Sequence, residues 1–279
     1  MSIYTFGAFQ INSNVGGLGY FLESKNLDIP KVKPAEYAIA RRDGSKKSSE
    51  MVEPRQINVG LKVVGVSYTD LISRLDSLQQ ALALRSQQLC IHPDSRYFSS
   101  VDCIDATVKL VQGNVVQCKA DCVFKAYDPY AYSNTTSTYD TGVIALTSSG
   151  GFYNFPAINI TGGGNYWGYP SFHIINKTSS GNSQWTSLSI SQTQDSQTLK
   201  VNSTSSAQLP LNLNDYVDVN CNPAATNGWS VITNGNAYSD PQGLFPVMEP
   251  GTTTFNISIA SASAVSAECI ISWIPRYAS

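Results

Sequence analysis

The sequence is poor in charge, and it has no long hydrophobic run. Only 14% of its 279 residues are charged and the net charge is -2, which does not indicate a nucleic-acid or anionic-membrane partner. No segment approaches the roughly 18 consecutive apolar residues that a membrane-spanning helix requires. Residues 1–6 lack the basic and then apolar pattern of a signal peptide. We therefore expect a protein that is made and kept in a cytoplasm, without membrane insertion or direct nucleic-acid binding.

Catalytic side chains are equally sparse. The two histidines, His92 and His173, are far apart, and neither has a nearby serine, cysteine or carboxylate in the pattern of a triad or nucleophile elbow. The glycines at residues 162–164 have no following lysine or helix and do not match a phosphate-binding loop. Nothing among the scattered carboxylates of the second half singles out a glycosidase pair. The sequence predicts no catalytic residue, no cofactor and no enzyme.

The six cysteines do not predict a metal site. Cys118 and Cys122 are four residues apart in a strand-like run, so both side chains would lie on one face of a strand. Zinc sites usually take paired thiolates from a turn, with a second pair elsewhere. We expect buried free thiols, with a metal site or a disulfide as the alternatives.

Charge divides the chain into two parts. Residues 1–130 contain 15 lysine and arginine residues against 13 acidic residues, whereas residues 131–279 contain 3 against 7. The length also favours two domains. We predict a first domain over residues 1–132 and a second over residues 133–279, which begins with an exposed connection.

The first domain is predicted to be a β-sandwich or barrel with one α-helix. Residues 55–66 alternate apolar and polar side chains, as in a strand with one buried face. Ser67 then resembles a helix N-cap, and leucines recur at helical spacing over residues 68–88. Two further strands, at residues 101–111 and 115–126, are separated by a Gly-Asn turn signal.

A charged segment at residues 41–50 precedes these elements. We interpret it either as a solvent-exposed hairpin tip or as a β-hairpin arm that reaches a neighbouring subunit. In the second interpretation the residues at the oligomer interface are Arg41, Arg42, Asp43, Gly44, Lys46 and Lys47.

The second domain is predicted to be a galectin-like or jelly-roll antiparallel β-sandwich. After residue 140 no helical period occurs, and short strands alternate with Gly, Asn and Pro turns. The predicted strands are residues 142–146, 157–160, 171–176, 187–190, 197–202, 215–220, 229–233, 253–260 and 268–274.

Aromatic residues follow the glycine cluster of this domain. Tyr166, Trp167 and Tyr169 are interpreted either as core and turn anchors or as a platform that contacts a glycan or another partner. In the latter case the chain would be a carbohydrate-binding lectin or adhesin that acts through its C-terminal sandwich.

The order of weak motifs along nearly the whole chain resembles that of siphophage distal tail proteins. The first-half motifs are Arg41-x-Asp43-Gly44, Pro54-Arg55-x-Ile57-x-Val59 before Gly65, Ser67-Tyr68-x-Asp70-Leu71, Leu75-Asp76-x-Leu78 and Asp128-Pro129-Tyr130. The second-half motifs are Tyr169-Pro170, Leu209 to Asn214 before Asp215-Tyr216-Val217, Leu244-Phe245-Pro246, Pro250-Gly251 and Ile274-Pro275-Arg276-Tyr277. One departure is Thr252-Thr253-Thr254, where the family often has Asn.

The resemblance implies a structural virion protein at the tip of a long non-contractile phage tail, assembled in the host cytoplasm. A hexamer or dodecamer would form a ring that joins the tail tube protein to the tail-tip hub protein. The second domain would be the docking platform for receptor-binding proteins or side fibres during host attachment. Some relatives carry an inserted carbohydrate-binding module, for which 279 residues leave little room.

Overall fold

The computed structural model describes residues 4–27, 30–38, 45–91, 94, 96–179, 184–203, 209–210, 212–223 and 228–278. The chain divides into two compact units. The first is Met1–Asn134 together with Tyr277–Ser279, and the second is Thr135–Arg276. The chain therefore leaves the first unit once and returns to it at its last residues.

The first unit is a β domain with one α-helix in its described part. Its elements are β1 (Thr5–Phe6), β2 (Phe9–Gln10), β3 (Asn14–Val15), β4 (Leu18–Leu27), β5 (Val32–Ala38), β6 (Ser45–Val52), β7 (Arg55–Val64), α1 (Tyr68–Leu82), β8 (Gln87–Cys90), β9 (Tyr97–Leu110), β10 (Gln117–Ala126) and β11 (Ala131–Tyr132). The main sheet is antiparallel in the order β2-β1-β8-β9-β10-β7-β4-β3, and β11 pairs with β9.

Alternation of side chains explains the core of the first unit. Strands β7 and β10 bury every second residue, and their buried positions lie opposite one another across the ladder. Helix α1 packs on this apolar face through Leu71 and Leu78. Gly65 permits the close approach, because a Cβ at this position would lie 2.6 Å from the backbone nitrogen of Leu71.

The helix begins where the sequence predicts and ends earlier. The Ser67 Oγ accepts a hydrogen bond from the Asp70 backbone N–H at 3.2 Å, as an N-cap does. The predicted end at residue 88 is wrong, since α1 ends at Leu82 and the backbone turns through Ser86 at φ 52°. Leu89 is buried as a strand residue of β8, between β1 and β9. No helix in the described residues is long and apolar enough to cross a membrane.

Strands β5 and β6 form a separate two-stranded antiparallel sheet. Their register runs from Val32 opposite Val52 to Ala38 opposite Ser45. We call this hairpin the arm. It supplies the predicted β-hairpin arm of the fold class, and the connection at residues 39–44 lies outside the described residues.

The second unit is a sandwich of two antiparallel sheets. Its strands are β12 (Ser137–Asp140), β13 (Ile144–Ala145), β14 (Thr147–Ser149), β15 (Phe152–Asn154), β16 (Ile158–Thr161), β17 (Ser171–Asn176), β18 (Trp185–Gln192), β19 (Thr198–Asn202), β20 (Tyr216–Asn220), β21 (Ser230–Thr233), β22 (Asn236–Tyr238), β23 (Gln242–Gly243), β24 (Thr252–Ser261) and β25 (Ser266–Trp273), followed by β26 (Arg276–Tyr277) at the chain end.

The two sheets enclose one hydrophobic core. One sheet has the order β12-β25-β17-β20-β21-β22, with β13 beside β25, and the other has β14-β15-β24-β18-β19-β23, with β16 beside β24. Phe172 of the first sheet contacts Phe255 of the second edge to face, with ring centroids 5.2 Å apart. The fully buried Trp185 belongs to the same core. A mainly β chain with a helix-bearing first domain and a β-sandwich second domain confirms the predicted fold class.

Candidate functional site: an open sheet edge in the first unit

The apolar face of the sheet is buried beneath α1 but is exposed to solvent where it reaches the end of strand β9. In one row across the sheet, Leu61 and Ala120 are 1% exposed, whereas Val108, the next residue in that row, is 48% exposed. In the next row Val63 and Cys118 are buried and Leu110 is 61% exposed. The helix thus covers β7 and β10 and leaves the end of β9 open to solvent.

A groove lies between α1 and this uncovered part of β9. It has a volume of about 650 Å³ and is lined mainly by apolar side chains of the helix and of β9, including Leu75, Leu82, Ile104 and Val108. Contiguous exposed apolar surface next to buried core commonly marks a protein contact. The groove is therefore suited to apolar side chains of another chain segment.

The backbone of β9 is also open on one side. Strand β8 pairs with β9 between Tyr97 and Val101 only, and beyond Val101 the described residues pair β9 with β10 alone. A bulge interrupts the β9–β10 register next to Ile104, whose side chain is largely exposed. The Cys103 carbonyl already accepts a hydrogen bond from Arg85 Nη1 at 2.9 Å. The part of the edge that can accept a further strand therefore begins after Cys103.

Acidic side chains accompany this edge. Asp102 accepts hydrogen bonds from the Ser86 backbone N–H at 2.7 Å and from the Tyr127 hydroxyl at 3.2 Å. The Asp102 carboxylate raises the pKa of Tyr127, through the hydrogen bond and its charge. Asp105 is exposed and lines the groove, and Lys109 contacts Asp121 at 4.0 Å, with both side chains mostly exposed. The Arg85 guanidinium lies at the same place, since its Nη1 donates a hydrogen bond to the Cys103 carbonyl at 2.9 Å. Asp105 is therefore the acidic side chain of this edge that is exposed at the groove.

The predicted interface residues of the arm are only partly described. Arg41, Arg42, Asp43 and Gly44 lie outside the described residues. Lys46 and Lys47 lie on β6, opposite Tyr37 and Glu36 in the backbone register. A second cavity of about 440 Å³ is lined by Lys31 and Glu53 at the base of the arm and by Ile104. Ile104 lines both cavities, so the groove and the arm base adjoin one another.

The predicted aromatic cluster is held by an arginine. The Arg276 guanidinium lies 5.0 Å from the ring centroid of Tyr169 and 5.7 Å from that of Tyr166, and it donates a hydrogen bond to the Trp167 carbonyl at 3.1 Å. Gly164 fits closely here, because a Cβ at its φ of +96° would lie 2.0 Å from the Arg276 carbonyl oxygen. The three aromatic side chains are half-buried. The Tyr166 and Tyr169 rings and the Trp167 carbonyl contact Arg276, which anchors the loop.

A more exposed aromatic pair was not singled out from the sequence. Trp229 is 59% exposed and stacks on Phe245, with ring centroids 5.7 Å apart and planes 15° from parallel. Trp229 lies just before β21 and Phe245 follows β23, so neither residue is part of a strand. Sequence spacing gives no signal for such a pair.

His173 lies among polar side chains of the second unit, whereas Cys118 and Cys122 lie in the apolar core of the first. His173 Nδ1 lies 2.5 Å from Asp218 Oδ1 on the neighbouring strand, and the ring contacts Tyr216. Cys118 and Cys122 are buried free thiols on one face of β10, and burial raises the pKa of Cys122 to about 12. No group of three or more His, Cys, Asp or Glu side chains in the described ranges is placed to hold a metal ion, and His92 lies outside those ranges.

The comparisons with known proteins find similarity in structure and no match in sequence. No family model matches the sequence, and no curated protein sequence matches it. Among solved structures, the chain is similar to the Dit protein (gp 19.1) of phage SPP1, described as a paradigm of the hub adsorption apparatus in phages that infect Gram-positive bacteria. The TM-score is 0.67 at 15% identity, and the match covers 98% of each chain.

Two further matches have much lower scores. A chain of the phage P2 baseplate, in its activated conformation with Ca, matches with a TM-score of 0.39 at 9% identity over 95% of this chain and 94% of that one. A fructofuranosidase from Schwanniomyces occidentalis matches with a TM-score of 0.29 at 11% identity over 98% of this chain and 65% of that one. Neither score indicates a shared fold. The chain shares the fold of the SPP1 Dit protein over nearly the whole length of both chains, which confirms the predicted resemblance to phage distal tail proteins at the level of the fold.

Proposed function

We propose that this chain is a structural component of a phage tail tip, where a ring of identical subunits joins the tail tube to the tail-tip hub. The observation that carries the proposal is the fold shared with SPP1 Dit over 98% of both chains. Proteins with one fold can differ in function, so the open edge of β9 and the arm provide the independent physical support. Neither feature requires enzyme chemistry.

The arm and the open edge complement each other. A two-stranded hairpin alone is at best marginally stable in water, and the described arm strands β5 and β6 pair only with each other. Strand β9 has an unpaired edge beside an apolar groove. Adding the arm of one subunit to β9 of the next would satisfy both, with backbone hydrogen bonds for affinity and groove contacts for specificity.

Charge supports the same pairing. The arm contains Arg41, Arg42, Lys46 and Lys47 in one short stretch. Beside the receiving edge, Asp105 is exposed at the groove, whereas Asp102 is already bonded to Ser86 and Tyr127. Opposite charges across an interface favour the correct partner and register.

A contact between an arm and a different surface of the next subunit is heterologous, so repetition generates a ring if the rotation closes. We propose six subunits for this ring, with twelve as the alternative. The tail tube protein and the hub protein would bind its two faces. The sandwich of the second unit would dock receptor-binding proteins or side fibres.

A charge-exchange experiment tests the contact. Lys46→Glu with Lys47→Glu, and separately Asp105→Lys, should each shift the purified protein from a ring to smaller species in sedimentation velocity. Combining all three changes should restore assembly, because the opposite charges face each other again. Negative-stain images should show a ring with a central pore for the wild-type chain and the combined variant.

Deleting residues 42–49 provides the stronger perturbation. It should abolish assembly while circular dichroism shows both units still folded. Asp240→Lys, at an exposed turn of the second unit, is the matched control and should assemble normally. A strictly monomeric wild-type chain that never assembles with tube or hub protein would contradict the ring, and unchanged assembly of the deletion variant would contradict the role of the arm.

A carbohydrate-binding role is the second candidate, and the exposed stack of Trp229 on Phe245 favours it. Flat aromatic faces of this kind stack on the C–H faces of sugars. In this alternative the protein would be a lectin or adhesin whose second unit binds the glycan.

A further inference from the structure

A lysine, an asparagine and a glutamate meet at one end of the sheet that contains β17, β20 and β25. Lys177 directly follows β17, Asn214 precedes β20, and Glu268 lies on β25. Strand β17 pairs with both β20 and β25, so the three residues come from neighbouring segments. The Lys177 Nζ donates a hydrogen bond to Asn214 Oδ1 at 3.1 Å and lies 3.2 Å from Glu268 Oε2. The amine therefore contacts a carboxamide and a carboxylate at the same time.

The backbone holds these side chains together. The Lys177 N–H donates to the Ser266 carbonyl at 2.8 Å, which continues the pairing of β17 with β25. The carbonyl of Asn176 accepts the Asn214 N–H at 2.7 Å, and Asn176 Nδ2 donates to the Asn212 carbonyl at 3.1 Å. Asn176 is fully buried. The turn that carries Asn214 is therefore bound to the residue that directly precedes Lys177.

The amine and the carboxylate are largely shielded from water. The Lys177 side chain is 24% exposed and that of Glu268 is 17% exposed, whereas Asn214 is exposed. A lysine beside a carboxylate can transfer a proton to it, and the neutral amine that results is a nucleophile. The carboxamide carbon of Asn214 is bonded directly to the oxygen that the amine contacts. The arrangement is therefore suited to attack of Lys177 on Asn214.

We propose that Lys177 and Asn214 form an intramolecular isopeptide bond and that Glu268 transfers the proton. Glu268 accepts a proton from the Lys177 ammonium group, and Nζ forms a bond to Cγ of Asn214. Glu268 then donates this proton to Nδ2, the Cγ–Nδ2 bond breaks, and Nδ2 leaves as ammonia. Nζ gives up one further proton, which converts the ammonia to ammonium. The product is a neutral secondary amide, and the reaction needs no oxidant, metal or second substrate.

The bond would fasten the two sheets of the sandwich together at one end. Lys177 and Asn214 are 37 positions apart, and the chain between them contains β18 and β19 of the opposite sheet. A cross-link of this kind restricts the unfolded chain as a disulfide does. All six cysteines are free thiols, so the isopeptide would supply a covalent restraint that does not depend on redox conditions. The inference holds whether or not the chain assembles into a ring.

The test is the intact mass of the purified, folded full chain. The wild-type mass should be one ammonia below that of the sequence, and a proteolytic digest should contain a branched peptide that joins the segments of Lys177 and Asn214. Lys177→Arg and Asn214→Ala should each retain the full mass. Glu268→Gln should slow the loss of ammonia by roughly a hundredfold or more. Lys200→Arg, at an exposed position of β19, is the matched control and should lose ammonia as the wild-type chain does.

Two outcomes would overturn the isopeptide. One is a wild-type chain that keeps its full mass after prolonged incubation at neutral pH, which would show that the three side chains form an ion pair and a hydrogen bond only. The other is a loss of ammonia that persists in Lys177→Arg, because cyclisation at an Asn-Gly pair such as Asn234-Gly235 releases the same molecule. The wild-type mass and the digest decide the proposal even where a variant does not fold.

Discussion

Removing the apolar character of the open end of β9 should weaken ring assembly without unfolding the subunit. The perturbation is the double variant Val108→Thr and Leu110→Thr. Threonine suits strands as well as valine does, and both wild-type side chains are about half exposed in the single chain, at 48% and 61%. The free energy of unfolding should therefore change by less than about 1 kcal/mol.

The size of the expected change in assembly free energy follows from the surface area of Val108 and Leu110 that is exposed in the single chain. Full burial of a valine or leucine side chain contributes about 1.5–3 kcal/mol. Covering the exposed part of Val108 and Leu110 should then contribute roughly 2–3 kcal/mol for each subunit contact. Threonine retains a methyl group, so the variant should lose about 1.5–2 kcal/mol per contact, or roughly 10–30-fold in the dissociation constant.

The assay is sedimentation velocity over a concentration series, with circular dichroism as the folding control. The midpoint of assembly should move to higher protein concentration by at least the single-contact factor, because every contact in a ring carries the same change. Val143→Thr is the matched control, since Val143 is 62% exposed in the second unit. The reasoning is refuted if the double variant assembles at wild-type concentrations, or if Val143→Thr shifts assembly equally.

Three further outcomes are expected. Ser67→Ala removes the N-cap of α1 and should lower the free energy of unfolding by about 1 kcal/mol. Urea denaturation measures this change, with Ser73→Ala as control. An unchanged midpoint would contradict the stabilising role of the Ser67 hydroxyl. Burial raises the pKa of the Cys122 thiol to about 12, so this thiol should stay unreactive toward a thiol reagent at pH 8 while the partly exposed Cys90 reacts. Peptide mapping would identify the labelled cysteines. Rapid labelling of Cys122 in the folded chain would contradict its burial. If the second unit binds glycan, Trp229→Ala or Trp167→Ala should abolish glycan-array binding without unfolding, and absence of wild-type binding at millimolar glycan would eliminate the lectin alternative.

Local sequence patterns predicted the elements that depend on neighbours in the chain. Alternation in residues 55–66 corresponds to β7, and the Gly-Asn signal corresponds to the turn between β9 and β10, where Gly113 has φ +77°. Alternating or turn-bounded runs also indicated the longer strands of the second unit. These features rely on burial of every second side chain and on glycine conformation, which short windows of sequence contain.

Local sequence patterns do not predict the features that depend on residues far apart in the chain. The pattern of leucines extends the predicted helix to residue 88, because periodicity does not distinguish helix residues from those of the buried strand β8, which pairs with β1 and β9. The second domain is predicted to begin with an exposed connection, yet Ser137 begins β12 and pairs with Trp273 far along the chain. The open edge of β9 likewise cannot be predicted from sequence, because it depends on the residue at which β8 stops pairing with β9.

The return of the chain to the first unit has a consequence for the order of synthesis. Tyr277 belongs to the first unit, where the Arg96 guanidinium lies 3.6 Å from its ring centroid, and Arg55 donates a hydrogen bond to the Ala278 carbonyl at 3.3 Å. On the ribosome these contacts can form only after all of Thr135–Arg276 has been translated. The last contacts of the first unit therefore form only after the second unit has been completely synthesised. A chain interrupted before Tyr277 would lack the contacts that Tyr277 makes with Arg96 and Ala278 makes with Arg55.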